Sequence, residues 1–185
     1  MRTSQPDREG RFRALYAGSY ADVLRYAQRR VHPSHAEDAV AEAFLVAWRR
    51  LEEAPGRPDD ARAWLFGIVR NCLLNARRGL GRQDALAVRI ALVTTLDHTV
   101  EDEATAQRLD LVAAWRRLSA REQETLALTV FDDLTSPQAA RVLGITAASY
   151  RLRLLRARRA LRRHLDQVEP STLAGLGLDT RMETP

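Results

Sequence analysis

Residues 135–165, TSPQAARVLGITAASYRLRLLRARRALRRHL, leave a chain few choices of fold. Thr135 followed by Gln138 is a reciprocal helix-start signal, and Pro137 is tolerated in a first turn, where its missing amide would have no partner. The short helix so started ends at Gly144, the residue type that best takes the left-handed conformation after a last turn. Thr146 then caps a second, longer helix. At about 100° per residue, Tyr150, Leu154, Ala157, Leu161 and Leu165 share one narrow face, the face a core would take. The pattern predicts a helix, a glycine turn and a helix, with the second presented as a rod.

The rest of that rod is cationic. Residues 144–165 hold seven arginines and no acid. Arg151, Arg156, Arg159, Arg162 and Arg163 spread over a wide face that also carries Leu152 and Leu155. A polyanion is the natural partner, because the guanidinium fork matches phosphates and guanine edges. Helix-turn-helix spacing is the one in which a second helix enters a DNA major groove.

The same punctuation extends upstream. Strand alternation is nearly absent and helical periodicity dominates, which predicts an all-α protein. A first helix is expected from Phe12 to about Val31, with Leu15, Tyr16, Tyr20, Val23, Leu24 and Ala27 inward. Ser34 with Glu37 reads as a capping box, reinforced by Pro33, and opens a second helix to about Leu51. Val40, Phe44, Ala47 and Leu51 form its core stripe, while Asp38, Glu42, Leu45 and Arg49 share the opposite side. The segment EEAPGRPDD is a loop, after which Asp59 or Asp60 caps a third helix ending near Gly79. Leu65, Ile68, Cys72 and Ala76 make its buried stripe, and Trp64, Asn71, Asn75 and Arg78 lie on another flank. From 80 to 102 the pattern fades into a flexible linker, although ALAVRIALV suggests a short helix. Another helix runs from about Glu103 to Leu118, and Ser119 with Glu122 opens one to about Phe131. Two small helical domains result: three to four helices over 1–79 and the helix-turn-helix unit over 103–165, followed by a tail, 166–185.

Charge follows this division. All 29 basic residues are arginine, and the net charge of +5 conceals a segregation. Residues 1–79 carry 14 arginines against 10 acids, and 111–163 carry 11 against 4. Residues 80–110 carry 3 against 6, and 164–185 carry 1 against 4. Two basic blocks suit a protein that touches a polyanion at two places. The acidic tail has the charge to fold back on the basic helix and weaken its contacts. A single cysteine, Cys72, excludes an intramolecular disulfide and points to a reducing compartment. MRTSQPDREGRFRAL has no apolar core of a secretory leader, and no apolar run approaches the ~20 residues that span a bilayer, so a soluble, cytoplasmic protein without membrane insertion is expected. There is no phosphate-binding glycine loop, nucleophile–base set or zinc spacing. His32 and His35 read as loop histidines, so neither a catalytic residue, a metal nor a cofactor is expected.

Both halves resemble one family, the extracytoplasmic-function group of sigma-70-type bacterial sigma factors, over roughly 10–165. SHAEDAVAEAFLVAWRRL resembles its polymerase-binding helix at Asp38, Val40, Glu42, Phe44, Ala47 and Trp48, with Ala41 where glutamine is usual. ARAWLFGIVRNCLLNARRG resembles its promoter-melting helix at Trp64, Leu65, Ile68, Asn71, Arg77 and Arg78, with Asn75 where aspartate is common. LSAREQETLALTVFDDLTSPQAARVLGITAASYRLRLLRARRAL resembles its C-terminal domain, keeping Ser149, Arg151, Arg153, Leu154, Arg156, Ala157 and Arg158. Tyr150 and Leu152 depart from it, standing where a small β-branched residue and serine are usual.

The resemblance implies a promoter-specificity subunit, not an enzyme. Its partners would be core RNA polymerase, through the β′ clamp helices and the β flap, promoter DNA and an anti-sigma factor. Asp38, Glu42, Leu45 and Arg49 would meet the clamp. Trp64, Arg70, Asn71, Asn75, Arg77 and Arg78 would bind and open the −10 element, Asn71 at the pocket for a flipped base together with the 54–60 loop. Arg151, Leu152, Leu155 and Arg156 would face the −35 major groove, while Arg153, Arg158 and Arg159 hold phosphates. The helical wheel agrees for the first four, at roughly 100° to 240° from Tyr150. Two other classes remain open on the residues alone: a free-standing duplex-binding regulator, and a module that binds polymerase without reading promoters.

Overall fold

The computed structural model describes residues 5–78, 88 and 103–167. Among them are seven α-helices and one turn of 3-10 helix, and no strand: α1 (Gln5–Gln28), α2 (Pro33–Arg49), the 3-10 turn (Leu51–Glu53), α3 (Pro58–Arg78), α4 (Glu103–Arg117), α5 (Ala120–Val130), α6 (Ser136–Leu143) and α7 (Ala147–Asp166). The all-α expectation holds. The expected short helix within 80–102 and the tail beyond 167 lie outside the described residues.

The start signals of the second half act as their chemistry predicts. The Ser119 amide donates to Glu122 Oε2 at 2.9 Å, and the Glu122 amide returns a bond to Ser119 Oγ. Gln138 Oε1 accepts from the Thr135 amide at 3.0 Å. Gly144 takes φ +65°, and Thr146 Oγ1 accepts from the Ser149 amide at 3.1 Å.

The first half corrects three expectations. α1 begins at Gln5, ahead of Phe12, because its opening turn is polar and leaves no apolar periodicity to detect. α2 begins at Pro33 with His32 in the capping position and no side-chain cap; Ser34 lies inside the first turn, 2.9 Å from His32 Nδ1. A proline pre-set for the first helical position moves the start two residues towards the N-terminus and breaks the expected Ser34–Glu37 box. α3 likewise starts at Pro58, which puts Asp59 and Asp60 in its first turn instead of ahead of it.

Packing redraws two stripes. The buried side of α3 takes in Phe66, Val69 and Leu73 beside Leu65, Ile68 and Cys72, while Ala76 is exposed. The cause is that α3 is covered twice, by α1 and α2 on one side and by α6 on another. On α7 the buried set is Tyr150, Leu154, Ala157 and Ala160, with Leu161 half-buried and Leu165 36% exposed.

Tyr150, unusual for the resemblance, is fully buried. Its hydroxyl donates to the Thr125 carbonyl at 2.8 Å and shares a 2.8 Å bond with Thr129, fixing α7 to α5. Val88 is also tied to the second half. Its carbonyl accepts from the Trp115 indole at 2.7 Å and its amide donates to Gln123 Oε1 at 3.0 Å.

Gly144 has open space where a Cβ would stand, so alanine there meets only backbone strain. Gly144→Ala is expected to destabilise the fold by about 1–2 kcal/mol, read as a lower urea midpoint with an unchanged slope.

Candidate nucleic-acid interface

The α7 rod stands on Gly144. The left-handed turn sends the chain out of α6 at an angle, and Tyr150, Leu154 and Ala157 root the new helix on α5 and α6. Its far side is open: Arg151, Arg156, Arg158 and Arg159 are exposed, and Arg153 is half-buried. Leu152 and Leu155 stand 48% and 45% exposed among them. Water alone gives no reason for two such leucines in a guanidinium field, whereas a groove holding both phosphates and methyl groups does. Towards the end of the rod Arg156, Arg159, Arg162 and Arg163 gather in a shallow concavity bordered by Glu122 and Asp166.

On α3 the expected flank is brought together only in part. Asn71 and Asn75 are exposed, and Trp64 is half-buried against the core. Trp64, Gly67, Arg70 and Asn71 line a cavity whose opposite wall is Arg141, Val142, Leu143 and Gly144. Arg70 is engaged: its Nε lies 2.7 Å from Glu124 Oε1 and its Nη2 3.2 Å from Oε2. The side chains of Arg77 and Arg78, on the last turn of α3, are outside the described residues. The 54–60 loop faces α1 across a second cleft, lined by Arg11, Gly18, Asp22, Pro55, Gly56 and Arg62.

α2 presents Asp38, Glu42, Leu45 and Arg49 together on its exposed side, with Leu45 60% exposed. Beside them is an aromatic cluster. Phe12 and Trp48 meet edge-on at 5.1 Å, Tyr16 remains 42% exposed, and the Arg8 guanidinium lies 4.7 Å above the Trp48 ring. Helical spacing points Tyr16 inward, and one side of its ring does pack on Phe44 at 4.7 Å, while the other side stays open. On the inner side of α3, burial pushes the Cys72 thiol up to about 11, aided by the Glu42 carboxylate.

Sequence reasoning missed the buried charges. Asp132 accepts from Arg30 at 2.9 Å, with neither side chain exposed, and also from Arg29. Arg30 lies 3.4 Å above the Tyr26 ring, which stacks on Phe66 at 4.7 Å, and burial raises the Tyr26 pKa. Asp60 accepts from Arg141 at 2.8 Å and from Gln138 at 3.1 Å; first the Gln138 bond and then the arginine hold its carboxyl below the usual range. No local pattern marks them: Glu124 closes the polar turn REQE ahead of TLALTV. Among the described residues there is no cluster of three or more metal-binding side chains, and no helix long and apolar enough to cross a membrane.

Comparison with known proteins gives two family matches: Sigma-70 region 2 over residues 15–83 and Sigma-70, region 4 over residues 108–161. The ECF RNA polymerase sigma factor SigL of Mycobacterium tuberculosis is 32% identical over 158 residues, covering 84% of this chain and 89% of SigL. CnrH of Cupriavidus metallidurans, an RNA polymerase sigma factor, is 29% identical over 141 residues, 70% of this chain and 73% of CnrH. Among solved structures, CnrH in complex with the cytosolic domain of CnrY matches at TM-score 0.56 and 24% identity, covering 85% of this chain and 89% of that one. The sigma factor RpoE of Bartonella quintana, in complex with the anti-sigma factor NepR, matches at TM-score 0.53 and 22% identity, covering 86% and 94%. At these identities the two structures share the fold.

The exposed arginines of α7 predict a salt signature. Binding to duplex DNA of arbitrary sequence should weaken as log K against log salt, and replacing Arg156 and Arg159 by alanine should flatten the slope by roughly 0.9 for each phosphate that is no longer neutralised. Anisotropy titrations at several salt concentrations read it; an unchanged slope would remove both residues from the interface.

Proposed function

This chain belongs to the extracytoplasmic-function RNA polymerase sigma factors, proteins of promoter-specific transcription initiation, and from that membership we propose how its own residues divide the work. Residues 1–79 form the domain that holds polymerase and the −10 element, 80–102 the linker, and 103–165 the domain that reads the −35 element. The observation that carries the assignment is the α7 surface, where Arg151, Leu152, Leu155 and Arg156 stand exposed on the second helix of a helix-turn-helix unit.

The α7 rod enters the −35 major groove. Arg151 and Arg156 reach guanine O6 and N7 as forks, Leu152 and Leu155 meet thymine methyls, and Arg153, Arg158 and Arg159 neutralise phosphates. Opening the −10 element leaves bases outside the stack, at a cost of a few kcal/mol for each step. Trp64 as a stacking surface, Asn71 and Asn75 as amide edges, and Arg70, Arg77 and Arg78 as phosphate partners offset that cost. Asp38, Glu42, Leu45 and Arg49 dock on the clamp helices of the β′ subunit, and the half-exposed Phe12, Tyr16 and Trp48 extend that face with aromatic surface of the kind that dominates interfaces. The second domain meets the β flap. The chain performs no bond chemistry itself and acts in the cytoplasm, where polymerase supplies the catalysis. Family resemblance supports an anti-sigma partner.

The test is transcription. Purified protein with core polymerase, on fragmented genomic DNA from its host, should give discrete starts sharing paired −35 and −10 elements. A duplex footprint without polymerase binding would make the chain a free-standing regulator. Within the promoter system, Arg151→Ala is expected to cost about 1–3 kcal/mol and to relax preference at one −35 position. Leu45→Asp should weaken core binding about tenfold while leaving duplex binding by α7 intact.

A further inference from the structure

The seat of α7 holds the direction of the rod more firmly than its roll. The buried set on α7 is Tyr150, Leu154, Ala157 and Ala160, resting on α4, α5 and α6. Contacts of leucine and alanine are non-directional, so they resist lifting the rod but not turning it. Thr146 and Ser149 bond only each other, within the first turn. Among the described residues, the Tyr150 hydroxyl makes the only side-chain hydrogen bonds from α7 to another helix. It donates to the Thr125 carbonyl at 2.8 Å and shares a 2.8 Å bond with Thr129 Oγ1. A phenol has one proton, so Thr129 is the donor in the second bond. Burial raises the Tyr150 pKa, which keeps that proton in place for the first. Thr125 and Thr129 stand one turn apart on the same face of α5, and the hydroxyl is held from two directions.

Roll matters because of what stands on the far side. Arg151, Leu152, Leu155 and Arg156 are exposed, at roughly 100° to 240° round the helix from Tyr150. Turning α7 by about 10° moves a side-chain tip about 6 Å from its axis by roughly 1 Å. A forked arginine bond to a guanine edge does not survive that shift, whereas attraction to a phosphate hardly changes. We propose that Tyr150 is a positioning residue for −35 recognition: its hydroxyl, held by Thr125 and Thr129, sets the roll of α7 and so the aim of Arg151 and Arg156 at base edges. This rests on reading α7 as the −35 helix. Tyr150 itself is fully buried and acts only through its neighbours. A small β-branched residue, the usual occupant in the family, carries no phenol to reach these partners, so the tie belongs to this chain.

The test uses the full chain with core polymerase, on promoters mapped with the wild type and substituted at each −35 and −10 position in turn. Y150F keeps the ring and removes the hydroxyl, and T129V removes one partner at nearly constant volume. Both are assayed at a temperature where circular dichroism shows them folded. Y150F should shrink the penalty for −35 substitutions by about fivefold, the net contribution of one hydrogen bond, and T129V should shift it in the same direction. Penalties at −10 positions and the salt slope on duplex of arbitrary sequence should match the wild type, since neither depends on the aim of α7. A residue that merely supports the fold would lower output from every promoter alike and leave the −35 penalties as they are. Because the two substitutions cut one tie, the double variant should go little further than Y150F.

Unchanged −35 penalties in folded Y150F overturn the proposal. Should Y150F fail to fold, T129V decides by the same criterion. A wild type that gives no discrete starts, or whose penalties are confined to −10, defeats the reading of α7 and the proposal with it, and that outcome is visible before either variant is read.

Discussion

Gly67 sits in the middle of α3, and the Val142 Cα lies 3.9 Å from the point where a Cβ would stand. There α6 packs on a helix already buried on its other side by α1 and α2. The consequences run through the molecule. α3 acquires two covered faces, and Phe66, Val69 and Leu73 join a core that continues from α1 to α7. Charges trapped along the seam must then be paired, since a lone buried ion costs several kcal/mol even after relaxation. Arg30 meets Asp132 and Arg70 meets Glu124 for that reason, across 102 and 54 residues of chain.

The same seam sorts the exposed faces. The side of α2 that carries Asp38, Glu42, Leu45 and Arg49 and the side of α7 that carries Arg151, Leu152, Leu155 and Arg156 are both open in one conformation. The α3 flank lies beside the seam: Trp64 and Arg70 are half-buried and line a cavity with Arg141 to Gly144, while Asn71 and Asn75 keep exposed side chains.

The helix starts of the second half were readable because their bonds are local. Ser119 with Glu122, Thr135 with Gln138, and Thr146 with Ser149 each span three residues, and Gly144 needs nothing but its own backbone freedom. The same logic misplaced the start of α2, where Pro33 competes with Ser34 for the first turn and prevails. Periodicity found most inward faces but misassigned their ends. Ala76 and Leu165 keep the phase of their stripes where neighbouring helices no longer cover them. Tyr16 keeps it too, packing on Phe44 with one side of its ring and exposing the other.

Local sequence sets the all-helical architecture, the glycine turn that launches α7, and the face of α7 that carries arginine and leucine, because bonds within one or two turns and a 3.6-residue repeat decide each of them. Its motifs also sufficed to point to the family. Packing between distant helices set the rest: that Arg70 faces Glu124, that Arg30 is buried on Asp132, and that the end of α6 lines one cavity with Trp64 and Asn71. Those pairings depend on two helices meeting far apart in the chain, and no local pattern encodes which acid a given arginine will find.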